Sequence, residues 1–298
     1  MPDDLTSLPV ADSEEQTPQP RKKRKRVPVY YYDASRSRFS YALKDLGKAL
    51  SNPLLIFIII KRSFAGRYEK TLLGPFWITI SAGMTVGGLA LLYGKIFGSP
   101  IREYLPYVAC GIIVFGLVSS IFNGGAGAFA TGAGTFNQIP IAKSVFAFRA
   151  LGNAFLQFVY KLPVLIPAVL LVGLRPGPVD VLLALAGIAL ILWTGFWATL
   201  ILGTIGLRFQ DFGQLISAIM SAVFFFTPVF WHAERLREFA FVVQYNPFYH
   251  YLNIVRGPII GESGILHSFI WAGGFAAIAT VSGALTFGFF ARRFSYWT

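Results

Sequence analysis

The sequence predicts an all-α membrane protein with six transmembrane helices, preceded by an amphipathic helix in the membrane interface. Three observations predict it. The 298-residue chain is 55% hydrophobic and only 13% charged, where a soluble protein is about 25% charged. The charges are missing from long runs: 71–94, 104–142, 181–207, 212–233 and 263–291 contain no Asp, Glu, Lys or Arg, and the last two hold one histidine each, His232 and His267. Each run reaches the roughly 20 residues a helix needs to cross a hydrocarbon core about 30 Å thick.

Residues 1–38 are rich in Asp, Glu, Ser, Thr, Gln and Pro and hold a basic run from Arg21 to Arg26. Such a composition cannot bury a core, which predicts a disordered basic tail. In a soluble chain the basic run would pass for a nucleic-acid patch. On the inner side of a membrane protein it suits anionic lipid headgroups instead, so no nucleic-acid partner is expected. The start MPDDLTSLPV lacks a basic and then apolar stretch, so no cleaved signal peptide is expected.

Residues 39–70 form the predicted interfacial segment. On a helical wheel Phe39, Leu43, Leu46 and Leu50 share a sector of roughly 60°, while Lys44, Asp45 and Lys48 face away, as in a helix lying apolar side down on the bilayer. Asn52-Pro53 breaks this helix, and the apolar run Leu54–Ile60 is too short to span. Lys61, Arg62, Arg67 and Lys70 then return to the polar surface. At Leu73-Gly74-Pro75-Phe76-Trp77 the chain turns into the first span; proline suits a first helical turn and tryptophan the headgroup level.

The six spans are placed at about 72–94, 104–124, 150–173, 181–206, 213–231 and 266–290, making residues 71–298 one domain. Lys161 divides the third. Residues 1–70 hold 14 of the 26 Lys and Arg, and an even span count adds Lys143, Arg149, Arg208, Arg292 and Arg293 to that side. The excess places both termini in the cytoplasm. The Gly-rich stretch from Asn123 to Gly134 allows close helix packing or an opening into a channel. The outer stretch 232–265 carries enough large apolar side chains for short helices that lie against or dip into the membrane.

Several chemistries lack their residues. No G-x-x-x-x-G-K-[ST] phosphate loop occurs. His232, His250 and His267 have no metal-ligand spacing, and Cys110 is alone, so neither a catalytic residue nor a metal site is assigned. Carboxylates are nearly absent from the spans, which disfavours a proton relay. Transport by this chain would draw its energy from another one.

Four segments carry a family resemblance. Arg67-Tyr68-Glu69-Lys70-Thr71-Leu72-Leu73-Gly74-Pro75-Phe76-Trp77 resembles the R-Y-x-x-T-x-L-G-x-x-W signature of ABC-2 type permeases, the membrane subunits of ABC exporters for O-antigen, capsule and teichoic acid. Asn246-Pro247-Phe248-Tyr249-His250, with Arg256-Gly257-Pro258-Ile259-Ile260-Gly261, is similar to the N-P-x-Y-H…R-x-P-x-x-G segment of the O-antigen branch. Arg208-Phe209-Gln210-Asp211 and Phe226-Thr227-Pro228 match further pieces. The resemblance covers about residues 39–298; the tail matches nothing in it.

The resemblance implies two copies of the permease over two copies of a separate ATPase, which alone would bind ATP and Mg. It implies re-entrant gate helices between spans five and six, and a glycan on a polyprenyl-diphosphate lipid as cargo. The loop holding Phe136, Lys143, Phe146 and Arg149 would couple to the ATPase. Lys61, Arg62, Arg67 and Arg208 would attract the diphosphate at the entrance. Aromatic density, the helix-loosening Thr227-Pro228 and the implied gate together assign Phe225, Phe226, Phe230, Trp231, Tyr245 and Tyr249 to the sugar path. A drug or antibiotic exporter of the same superfamily is the alternative reading. A membrane-bound glycosyltransferase would need acidic catalytic loops that the sequence lacks.

Overall fold

The computed structural model describes residues 38–132, 141–170, 172–232 and 243–297, excepting the side chains of Arg38, Phe39, Arg292 and Ser295. The expected disordered tail, Arg38 apart, and Phe136 lie outside the described residues. Within them the chain is helical, without a strand. In order come α1 (Arg38–Leu50), α2 (Pro53–Ala65), α3 (Phe76–Ile96), α4 (Ile101–Ala126), α5 (Ser144–Leu170), α6 (Pro178–Arg208), α7 (Phe212–Phe226), α8 (Pro247–Ile260), α9 (Ile265–Phe290) and the single turn α10 (Phe294–Trp297).

Five helices, α3, α4, α5, α6 and α9, are long and apolar enough to cross a membrane. Each begins within about six residues of an expected span. The expected fifth span differs. It was placed over 213–231, but α7 has 15 residues and ends at Phe226, about 22 Å at 1.5 Å per residue. The cause is local. Thr227 is extended, with φ −100° and ψ 136°, as the residue before a proline prefers, and Pro228 has no N–H with which to continue the helix.

Helix α4 is the most buried of the five, and α3, α5, α6, α7 and α8 pack around it. Its Ile113, Val114, Leu117 and Ile121 form the central core with Phe158 of α5, Ile191 of α6, Met220 of α7 and Leu252 of α8. Cys110 is a free thiol inside that core. Glycine sets the closest approach. A Cβ on Gly206 of α6 would lie 1.9 Å from the Ala126 carbonyl oxygen of α4. Gly125 likewise leaves room for Thr199. In a membrane, where lipid is as apolar as leucine, such contact between backbones is a main source of helix association. Of the two readings of the Gly-rich stretch, close packing holds at Gly125 and Ala126.

Helix α1 packs on the protein through a face that includes Asp45, while Leu43 and Leu50 of the stripe expected to face lipid stay exposed. Ala42, Asp45 and Ala49 are buried, while Leu43 is 67% exposed. Asp45 was expected on the solvent side; the N-terminus of α5 draws it inward, as described below. α1, the start of α5 and the end of α9 meet at one end of the bundle, where Phe129, Phe146, Phe196, Leu207, Phe287 and Phe294 form a second cluster. Tyr104, Tyr107 and Val108 form a third around the start of α4.

Candidate functional site

The break after α7 builds a polar feature held by side chains of α4 and α8. Residues 227–232 have no helical hydrogen-bond ladder, and backbone of this kind is tolerated at membrane depth only when protein satisfies it. Three side chains do so. The Tyr107 hydroxyl donates to the carbonyls of Trp231 (2.7 Å) and Pro228 (3.2 Å). Tyr104 donates to that of Phe230. Arg256 of α8, 1% exposed, donates through Nη1 to the Pro228 carbonyl at 2.8 Å and through Nε to Glu262 at 3.1 Å. Its guanidinium lies 4.0 Å from the centre of the Tyr107 ring, and the His232 ring stacks on that ring at 4.1 Å.

Asn246 ties α8 to this segment. Its side-chain oxygen accepts from the Phe248 N–H at 2.9 Å, capping α8, while its Nδ2 donates to Thr227 Oγ1 at 3.1 Å and the Phe226 carbonyl at 3.3 Å. The Asn-Pro of the sequence is therefore a helix start with a second grip on α7. Arg256, in the stretch expected on the outer side, is buried by these contacts. A lone charge in the apolar and aromatic run 247–260 was its signal.

Four of the six proposed path residues come together at the end of α7. Phe225 and Phe226 are 66% and 64% exposed. Phe230 packs on Phe224 at 5.6 Å and Tyr93 at 5.1 Å, and Trp231 Nε1 donates to the Phe225 carbonyl at 3.2 Å. Tyr245 and Tyr249 stand apart, flanking the α8 start: Tyr245 is exposed, edge-on to Trp271, and Tyr249 lies beside His250. Beside Phe225 a cleft of about 390 Å³ opens between α4 and α7, and its polar lining comes from Ser119, Asn123, Ser217 and Ser221. Asn123 Nδ2 donates to the Ser119 carbonyl at 2.9 Å and to Ser119 Oγ at 3.2 Å, and Ser221 Oγ donates to the Ser217 carbonyl at 2.9 Å. The hydroxyl and amide oxygens of this lining can still accept from a hydrated cargo.

The model of a family described as "ABC-2 type transporter" matches residues 54–260, more than half of the chain. The chain belongs to the ABC-2 type transporter family. Two O-antigen export system permease proteins RfbA of Klebsiella pneumoniae are 22% and 23% identical over 199 and 203 residues, in each case 65% of this chain and 75% of the relative. An RfbA of Myxococcus xanthus is 21% identical over 184 residues, 62% of this chain and 70% of its own.

In this ABC-2 protein the segment expected to couple to an ATPase is anchored from behind. The Asp45 carboxylate accepts from the backbone N–H groups of Lys143 (2.9 Å) and Ser144 (2.8 Å). Two donors that the start of α5 leaves without helical partners are thereby satisfied, with a negative charge at the positive end of the helix dipole. The Lys143 side chain is 7% exposed, and its Nζ donates to the Ala291 carbonyl at 2.8 Å, near the rings of Phe294 and Tyr41. Burial pushes its ammonium down to about 8, with the Asp45 charge opposing. Phe146 is buried beneath the Arg149 guanidinium, which donates to the Ala128 carbonyl and to Thr131. Neither Lys143 nor Phe146 offers a free side chain to a partner.

The expected entry residues are distributed over one exposed stretch and one helix end. Ile60, Ser63 and Phe64 of α2 dock on α5, where Gly152 makes room for Ile60 and Asn153 Nδ2 donates to Ser63 Oγ at 3.0 Å. Lys61 and Arg62 face away from this contact, and Arg67 follows in the next turn; all three are exposed. Arg208 is exposed at the end of α6, with its guanidinium 5.9 Å from the Trp297 ring.

Proposed function

We propose that this chain is the transmembrane subunit of an ATP-driven exporter that moves a lipid-linked cell-surface polysaccharide, of O-antigen type, out of the cytoplasm. Two copies would work with two copies of a separate ABC ATPase, which binds the ATP and Mg, in a bacterial inner membrane with both termini inside. Family membership supports the transport role, and the names of the Klebsiella and Myxococcus relatives support the cargo class.

One observation carries the reading: the serine- and asparagine-lined cleft between α4 and α7, ending at exposed phenylalanines. Hydroxyls and amides can hydrogen-bond sugar hydroxyls, and flat rings can stack on the C–H faces of many sugars without reading each one. Two such faces, one from each copy, would enclose a path. The break at Thr227-Pro228 and the short helix α8 would form its outer gate, α8 acting as a re-entrant helix. Lys61, Arg62, Arg67 and Arg208 would collect the diphosphate headgroup at the inner mouth. The capped start of α5 would carry the ATPase stroke through backbone position, because the side chains of Lys143 and Phe146 are held inside.

Deletion of the chain should abolish surface glycan while intracellular lipid-linked glycan accumulates, and a plasmid copy should restore it. The purified chain should hydrolyse ATP only with its partner subunit. Normal surface glycan in the deletion strain would overturn the reading.

A further inference from the structure

Lys161 is a cation in the interior of a span. It sits on α5 roughly 25 Å along the axis from Ser144 and about 13 Å from Leu170 at 1.5 Å per residue. Its ammonium rests on α4 at Gly116, where a Cβ would come within 2.6 Å of Nζ. Among the described residues it makes no hydrogen bond and no ion pair. An ammonium has three donors, and leaving them unmatched at membrane depth is strongly unfavourable. Either water or an anion must meet it.

The surroundings say where that partner comes from. The residues of α4 left partly open from Ile112 onward are Ile112, Gly116, Ser119, Ser120, Phe122, Asn123 and Gly124; all but Phe122 lie within one sector of about 140° at 100° per residue. Gly116 is therefore on the polar face that continues to Ser119 and Asn123 in the α4–α7 cleft. A second copy of the chain cannot supply a carboxylate there. No Asp or Glu occurs in 71–102, 104–179, 181–210, 212–233 or 263–298, so acidic residues flank the spans and never enter their middles. Anionic lipid headgroups sit at the surface, a span's half-length away. Besides water, what remains is a charge that arrives with the cargo.

We infer that Lys161 recognises an anionic group of the cargo, a phosphate or a carboxylate, as it passes along the polar face of α4. This rests on the export reading above. The glycine at 116 is part of the device, since any larger residue would displace the ammonium from that face. Two sources of the charge are distinguishable: the diphosphate of a polyprenyl carrier, or the carboxylates of an acidic sugar.

The test uses the full chain with its ATPase partner in phosphatidylcholine nanodiscs. The probes are a polyprenyl diphosphate, the corresponding uncharged polyprenol, an oligogalacturonate and a neutral glucan oligomer, each read by tryptophan fluorescence. Lys161→Met should weaken one of the two anionic probes about tenfold or more, as expected for loss of a charge-assisted contact. Lys161→Arg should bind it within a few fold of wild type, and the neutral probes should not change. The probe that responds identifies the source. In a Cys110→Ala background, Lys161→Cys should lose export and regain it on modification with aminoethyl methanethiosulfonate, which restores an ammonium, but not with the methyl reagent. Equal binding of both anionic probes by wild type and Lys161→Met, or export by Lys161→Cys that is indifferent to charge, would overturn the inference. Either result leaves the export reading intact, because that reading is tested by deletion of the chain.

Discussion

The carboxylate of Asp45 is bonded to the backbone N–H of Ser144, 99 residues later in the chain, so the first described helix caps the start of the third span-length one. Asp45→Ala removes the cap and should cost about 1–2 kcal/mol, as side-chain caps do elsewhere. Asp45→Asn keeps one acceptor and should cost less. Hydrogen exchange of the amides of Ser144–Ala150 measures this directly. Unchanged protection in Asp45→Ala would mean that the cap contributes nothing. If α5 transmits the ATPase stroke, ATPase activity and export should also separate in this variant.

Stability should depend on pH through Lys143. Its ammonium titrates near 8 in the folded protein, against 10.5 for a free lysine. Between these values the unfolded chain binds more protons than the folded one, so stability rises with pH over that window and is flat below it. The gain is of order 1–3 kcal/mol. Thermal unfolding in detergent between pH 7 and pH 10.5 should show the rise in wild type and a smaller one in Lys143→Met. Identical profiles would exclude a buried, charge-penalised lysine.

Arg256 and Tyr107 should behave as a coupled pair. Arg256→Met leaves Glu262 without its donor and the Pro228 carbonyl with only the 3.2 Å bond from Tyr107. Breaking a buried pair on one side costs about 3–5 kcal/mol, and the partial exposure of Glu262 places this case toward the lower value. Tyr107→Phe removes hydrogen bonds worth about 0.5–1.5 kcal/mol. The double variant should lose less than the sum, since both side chains serve the Pro228 carbonyl. Strict additivity in thermal unfolding would show that they act separately.

Gly206→Ala should destabilise the crossing of α4 and α6 by about 1–3 kcal/mol, the usual cost of overpacking, because the new methyl meets the backbone of Ala126. Gly273→Ala is the control. Nothing lies within 4 Å of that position in α9, so the exchange should stabilise by about 0.5–1 kcal/mol from helix propensity alone. Equal effects at the two positions would refute the packing argument.

The rings at the end of α7 should act collectively. Single alanine substitutions at Phe225, Phe226 or Phe230 should lower surface glycan little, and the triple variant should abolish it with normal amounts of protein in the membrane. A stacked base is worth about 1–3 kcal/mol on an aromatic side chain, and a similar scale for sugar rings makes one loss tolerable. Wild-type glycan in the triple variant would assign the rings to lipid.

Five spans were legible because charge is expelled from hydrocarbon whatever the tertiary fold, so charge-free runs mark them without any knowledge of packing. The shortened α7 was legible too: Thr227-Pro228 carries the signal, and the expectation extended the helix past it because Val229-Phe230-Trp231 is as apolar as the residues before. Phe225, Phe230 and Trp231 meet in space because they are near in sequence. Asp45 was not legible. A carboxylate that caps a helix 99 residues away leaves no local pattern and reads as a solvated charge on an amphipathic wheel. Tyr104 and Tyr107 failed for the same reason, since their partners are carbonyls more than 120 residues along.

The lysine at 143 has its carbonyl partner at Ala291, 148 residues onward. In a chain made from its N-terminus, Asp45 is already waiting when the start of α5 emerges, but Ala291 and Phe294 follow only after α9. The partner of the ammonium is therefore missing through the insertion of every intervening helix, and the site can be sealed only once α9 has been made. The completed seal reports that α9 is in place. A product cut short before α9 would keep this site open and hydrated, giving a quality-control protease a place to begin.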